Sequence, residues 1–210
     1  MYTLYYGPGS CAMAVHVALL ECNAEFKLEK IDLSSGQQRS PEYLKINPRG
    51  QVPVLVDDGK VMREGAAILI NLLEKHKSPL LPASGSARAD AIEWLAFCNA
   101  TLHPAYGRVF FLKRGSADPA TKEKLMEVSV AAINKLWEDI EQRLSQSPWL
   151  AGKDITIADI LMTVIANWTQ NVPGEVKIGP NTKKLLQTVI ARPTYKKALE
   201  TEQVQYKAAA

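Results

Sequence analysis

The stretch YYGPGSCAMAVHVALLE, residues 5 to 21, decides how the chain is read. Its first two residues close a run of β-formers, YTLYY, that stops at Gly7-Pro8-Gly9. Its remainder carries apolar residues at helical spacing, Ala14, Val17, Ala18 and on to Cys22, which predicts an amphipathic helix. A strand therefore passes through a tight turn into a helix, and one cysteine, Cys11, stands at the junction. A thiol in the first turn of a helix feels unpaired backbone N–H groups and the positive end of the dipole, and both favour the thiolate. The competing reading is a small buried hydrophobe, as most lone cysteines are. Cys22 and Cys98, inside predicted helices, are read that way.

Outward from this stretch the first half keeps alternating. EFKLEKIDL, residues 25 to 33, reads as a second strand and completes a βαβ unit. PEYLKIN is a short helix stopped by Asn47-Pro48, VPVLVDDGKVMREG a hairpin around Asp58-Gly59, and EGAAILINLLEKH a helix. The grammar changes at SPLLPASGS, residues 78 to 86, a linker by composition. Beyond it only helical periods occur, over roughly 87–114, 119–145, 156–171, 180–191 and 193–203. The predicted plan is an α/β domain over 1–77, a linker over 78–86 and an all-α domain over 87–210.

Composition excludes several function classes. With 210 residues, 47% of them hydrophobic, the chain can bury a sizeable core and gives no argument for disorder. Twenty-five Lys and Arg against 22 Asp and Glu leave a net charge of +3, scattered rather than striped, so nucleic acid is not an expected partner. Three widely spaced cysteines suggest neither a disulfide framework nor a zinc site, and no metal is expected. No apolar run approaches 18 residues and no secretory leader is recognisable, so the expectation is a cytoplasmic protein without a membrane segment.

Four further places invite a chemical reading. Val52-Pro53 stands where the next strand starts, and a cis bond there would turn the backbone N–H and C=O of Val52 to a ligand; a plain trans strand start is the alternative. Glu64-Gly65 opens a helix whose N-terminus suits a carboxylate, against a plain helix start. At helical spacing Ala96, Asn99, His103, Tyr106 and Phe110 share one face, mixing polar and aromatic groups as a ligand pocket does; a satisfied core histidine is the bland alternative, and Pro104 predicts a kink. Thr156 and Asp159 have capping-box spacing, with Ile155 and Ile160 as a hydrophobic staple, which is a folding device rather than chemistry.

Taken together, YYGPGSCAMAVHVALLE, INPRGQVPVL, REGAAILINLL, IEWLAFCNATLHPAYG and ITIAD resemble the glutathione transferases, and most closely the bacterial beta class, in order and along essentially the whole chain. The resemblance implies a thioredoxin-like N-terminal domain, an all-α C-terminal domain carrying an electrophile pocket, a cis bond at Val52-Pro53 and a homodimer. It implies that Cys11 lies beside the sulfur of glutathione, the co-substrate, and that His103 faces the same sulfur. Ser10 would add a hydroxyl donor, Val52 would pair its backbone with the cysteinyl part, Gln51 and Pro53 on either side of it would belong to the glutathione site, and Glu64 and Gly65 would hold the γ-glutamyl end. Where beta-class enzymes often carry Asn and Lys, this chain has Ala96 and Pro104, with Asn99 one turn later as a substitute for the first. Tyr5 and Tyr6, where other classes use a tyrosine, rank below Cys11.

The leading expectation is conjugation of the glutathione thiolate to small apolar electrophiles against a wall running from Tyr106 to Phe111. The alternatives are glutathione-dependent thiol–disulfide exchange at Cys11 and a non-catalytic glutathione-binding or regulatory module.

Overall fold

The computed structural model describes residues 1–115 and 118–209, which form two compact units. The first holds residues 1–88 together with 191–205, and the second holds 89–190 and the chain from 206 onward.

In the first unit β1 (Tyr2–Tyr6) leads through the Gly7–Ser10 turn into α1 (Ala12–Glu21), then β2 (Phe26–Lys30), α2 (Pro41–Ile46), β3 (Val54–Asp57), β4 (Lys60–Arg63) and α3 (Gly65–Lys75). The sheet order is β2-β1-β3-β4, with β1 parallel to β2 and antiparallel to β3, and β3 antiparallel to β4. A parallel pair requires a crossover, which α1 supplies. The second strand is shorter than predicted: beyond Ile31 the Asp32 carboxylate accepts the amides of Ser34 (2.9 Å) and Ser35 (3.3 Å), and that local turn takes the backbone out of the ladder. The expected hairpin forms, with Asp57 opposite Lys60.

The predicted amphipathic character of α1 does not hold. Every residue from Ala12 to Leu19 is buried, His16 included. The helix is apolar on all sides because it is covered on all sides, by the sheet, by α3 and by α9 (Pro193–Glu202). Glu21 receives two hydrogen bonds from Arg192 (2.9 and 2.7 Å) and a third from Thr194, while His16 meets Glu202 at 2.9 Å, so α9 lies antiparallel along α1 and is held at both ends. The sequence expectation placed residues 193–203 in the helical half; the side chains that receive α9 belong to α1.

The second unit takes up α4 (Gly85–Phe97) from residue 89, a π-helical turn (Cys98–Leu102), α5 (His103–Arg114), α6 (Pro119–Leu144), α7 (Ile157–Ala166), a 3₁₀ turn (Asn167–Asn171) and α8 (Pro180–Ile190). All of α7 is buried, and Trp137 and Tyr106 are among the largest fully buried side chains. Asp159 accepts the amides of Leu150 (2.9 Å) and Thr156 (2.7 Å) and the Thr156 hydroxyl (3.1 Å), so the capping box read from the sequence is present and also ties down the preceding loop. The kink expected at Pro104 takes the form of the π turn: proline has no N–H for the ladder, and the turn before it absorbs one extra residue.

Candidate active site

The turn between β1 and α1 brings Cys11 into place. Ser10 N–H donates to the Gly7 carbonyl (3.0 Å), and Gly9 takes the left-handed conformation, φ +67°, which glycine adopts without strain. The Ser10 hydroxyl oxygen accepts the Ala12 amide (3.3 Å), so it caps the start of α1 and keeps its own proton for another acceptor. Cys11 stands at the N-cap with helical φ and ψ, and its Sγ–H lies 3.7 Å from the Val52 carbonyl oxygen. Two of the elements singled out in the sequence, 41 residues apart, thus meet at one sulfur.

The protonation of that sulfur follows the second of the two readings made from the sequence, the buried one. Burial pushes the Cys11 thiol up to about 12; the backbone N–H groups of Cys11 and Ala12 pull it down by less, and the Glu64 carboxylate adds to the rise. Helix-end donors are the weaker influence because the sulfur has exchanged water for protein, and desolvation acts against the charged form. Cys11 is a thiol at neutral pH. Cys98 is fully buried and shifts upward for the same reason. Cys22 caps the C-terminal end of α1 rather than lying inside it, and its thiol is also raised by burial.

The Val52-Pro53 bond is cis, as the resemblance implied. The loop before it is held by backbone capture: Tyr43 OH (2.8 Å) and Asn47 Nδ2 (2.7 Å) both donate to the Gln51 carbonyl. Gly50 has φ +60°, and a Cβ there would come within 2.9 Å of the Gln38 carbonyl oxygen, so the loop admits no side chain at this point. Glu64 caps α3 at φ 70°, uncommon for a non-glycine residue, and its carboxylate accepts from Arg49 Nη1 at 2.7 Å. Gly65 is the first residue of α3, where backbone N–H groups lack helical partners. The Arg49–Glu64 pair is a contact the sequence reading did not make, although Arg49 stands in the quoted INPRGQVPVL segment.

Tyr5 and Tyr6 point to opposite faces of the strand, as alternation requires: Tyr6 is buried, with its ring 6.4 Å from that of His16, whereas Tyr5 lies 6.0 Å from Tyr43. His16 and Glu202 were not singled out by sequence reading. The signal for His16 was visible, since it is the one polar residue between Ala12 and Leu19, but nothing near it in sequence announces a partner 186 residues on.

In the second unit His103, Tyr106 and Phe110 do share a face, gathered about Trp168 at ring-centroid distances of 4.8, 6.0 and 6.1 Å. Burial lowers the His103 pKa, so its imidazole is neutral at neutral pH. Tyr106 is fixed in the core by Trp137 Nε1, which donates to its hydroxyl at 2.8 Å, and by Thr169 at 2.8 Å. Ala96, on the far side of the π turn, does not continue this face. The π turn carries one residue more than an α-helical turn, so side chains before it are rotated relative to those after it. Ala96 is exposed and Asn99 half-buried within the turn. The expected wall from Tyr106 to Phe111 also divides: Tyr106 is 0% exposed, whereas Phe111 is 72% exposed and lines a 470 Å³ groove with Pro104, Arg108, Leu112 and Leu125. Among the described residues no helix is long and apolar enough to cross a membrane, and no His, Cys, Asp and Glu cluster could hold a metal ion.

Comparison with known proteins agrees with this geometry along the chain. The model of the glutathione S-transferase N-terminal domain matches residues 1–73 and that of the C-terminal domain residues 92–193. Glutathione S-transferase 3 of Zea mays is 31% identical over 92% of this chain and 91% of its own. The disulfide-bond oxidoreductase YfcG of Escherichia coli is 29% identical over 95% of this chain and 94% of its own. The structure of a sphingomonad glutathione S-transferase complexed with glutathione superposes with a TM-score of 0.83 at 27% identity, covering 97% of this chain and 100% of that one. With Cys11, the Val52-Pro53 peptide and the Glu64-Gly65 helix start assembled in its first unit, and both family domains matched in order, the chain belongs to the glutathione S-transferase family.

Proposed function

We propose that the protein conjugates the glutathione thiolate to small apolar electrophiles. The observation that carries this reading is the meeting of Cys11 with the Val52 carbonyl in the unit that also holds the start of α3, which joins a thiol, the backbone before the cis proline and a helix N-terminus suited to a carboxylate. The cysteinyl part of glutathione pairs with the backbone of Val52, between Gln51 and Pro53. Its γ-glutamyl carboxylate takes the amides at Gly65, and its amine the Glu64 carboxylate. The chemical task is to keep the bound sulfur ionised, since a free thiol with pKa ~8.5 is mostly protonated at pH 7. The donors for it are the Ser10 hydroxyl, the α1 amides and the Cys11 S–H, which would exchange its contact with the Val52 carbonyl for the glutathione sulfur. We place the chain in the beta class, as a homodimer in the cytoplasm.

Retention on immobilised glutathione together with turnover of chlorodinitrobenzene tests the reading, and absence of both removes it. Binding without turnover would instead favour the non-catalytic module.

Thiol–disulfide exchange at Cys11, the activity in the name of the Escherichia coli relative, is the second reading. It requires Cys11 as a nucleophile, and a thiol pushed up to about 12 is poorly suited to that role.

His103 is read as a further donor to the sulfur, acting as a neutral imidazole. Loss of one donor to a charged group is worth on the order of 1–3 kcal/mol, so His103→Ala is expected to lower kcat/KM roughly tenfold or more. The melting temperature should stay within a few degrees. A lowered melting temperature with normal activity per folded molecule would mark His103 as a packing residue against Trp168.

A further inference from the structure

The groove on α5 and α6 is the feature of the second unit that its fold does not account for. Pro104, Arg108 and Phe111 recur at intervals of four and three, so they share one face of α5, and Leu125 and Ser129 of α6 line the hollow with them. Phe111 and Leu125 are large apolar side chains left exposed, and here they face one hollow rather than lying scattered. Its volume of 470 Å³ falls within the range of small-molecule sites, about 300–1,000 Å³. Gly107 keeps it open. Glycine inside a helix costs stability relative to alanine, and packing does not require it here, because a Cβ would meet no other part of the chain within 4 Å.

One charge breaks the apolar lining. Arg108 is exposed, no carboxylate lines the groove with it, and it forms no ion pair among the described residues. A guanidinium is a rigid fork that matches a carboxylate with two parallel hydrogen bonds. Apolar walls with a single cation favour an aromatic anion over a neutral ring of the same shape. We infer that this groove holds the electrophile and that Arg108 selects one carrying a carboxylate, with its ring against Phe111 and Leu125. Pro104 directly follows His103, the residue read above as a donor to the sulfur, so the chain itself sets the groove beside that donor. The co-substrate is thereby narrowed from any apolar electrophile to an acidic aromatic one. With an aryl chloride the glutathione thiolate forms the C–S bond, chloride leaves with the C–Cl electron pair, and the thiol proton goes to solvent.

The inference rests on the proposed conjugation for turnover and on the groove alone for binding. Arg108→Gln tests it in full-length protein with glutathione and two electrophiles: chlorodinitrobenzene, and the chloronitrobenzoate in which a carboxylate replaces the nitro group opposite the chlorine. A carboxylate activates the ring less than a nitro group does, so each variant is compared with wild type on each substrate. Arg108→Gln is expected to raise KM for the benzoate about fivefold or more relative to its effect on chlorodinitrobenzene, and Arg108→Lys to recover part of that loss. Gly107→Leu fills the hollow and should raise KM for both electrophiles about tenfold, with KM for glutathione changed less. An unchanged ratio between the two substrates in Arg108→Gln overturns the inference, as does a wild type that turns over only the neutral ring. If Phe111→Ser halves the mass seen by light scattering, the groove is an interface between copies of this chain and the inference fails. Should wild type conjugate neither ring, the proposed reaction is removed, and calorimetry with chloronitrobenzoate alone decides the groove. Binding weakened about fivefold or more by Arg108→Gln then upholds the site, and binding that is absent or unaffected overturns it.

Discussion

Alanine in place of Asp159 is expected to lower stability by about 3 kcal/mol and the melting temperature by about 6–12 °C, at ~2–4 °C per kcal/mol for a chain of this size. The carboxylate accepts three donors, two of them backbone amides at Leu150 and Thr156, which are buried and would be left without it. A buried amide without an acceptor costs about 1–3 kcal/mol, and relief from burying a charge returns part of the total. Asparagine, which keeps one accepting oxygen, should lose less than half as much. The titration adds a second signature. Burial raises the Asp159 carboxyl to about 6, so the folded state holds the proton more tightly than the unfolded chain does. That contribution is present in full below the unfolded value near 3.9 and is lost as pH rises through about 6, some 2–3 kcal/mol by linkage. Melting curves between pH 4.5 and 7.5 should show this slope in wild type and a flatter one in Asp159→Asn. An alanine variant melting within 2 °C of wild type would contradict the account of the buried amides.

The second large effect is chemical. Cys11 should react with iodoacetamide at pH 7 about 10²-fold more slowly than a free cysteine. Moving a thiol from ~8.5 to about 12 lowers its thiolate fraction by roughly 10³, and the higher nucleophilicity of the more basic sulfur recovers about one power of ten. A cysteine-containing peptide labelled in the same reaction is the reference, because Cys22 at the other end of α1 is itself raised by burial. Labelling of Cys11 as fast as a free thiol would show that the helix-end donors outweigh burial, and would restore the disulfide-exchange reading. The slow result has a consequence for catalysis. If Cys11 acts only as an S–H donor beside glutathione, Cys11→Ala should retain conjugation within tenfold, because S–H is a weak donor.

The sequence by itself determined the elements and their order. Tyr2 to Tyr6, the Gly7-Pro8-Gly9 turn, the Asp58-Gly59 hairpin and the capping box at Thr156 and Asp159 are local devices, set by dihedral preference, alternation and hydrogen bonds over a few residues, and such devices are written where they act. Tertiary structure decided what the site residues are. Whether Cys11 is thiol or thiolate depends on how much water the fold removes from the sulfur, and helix position states only the smaller, opposing influence. Whether Ala96 continues the His103 face depends on a π turn, which a period of 3.6 cannot anticipate. The attachment of α9 to α1 rests on pairs such as His16 with Glu202 and Glu21 with Arg192, more than 170 residues apart. Neither member of such a pair carries a mark of the other, because a buried charge is satisfied through space and the chain records only its order.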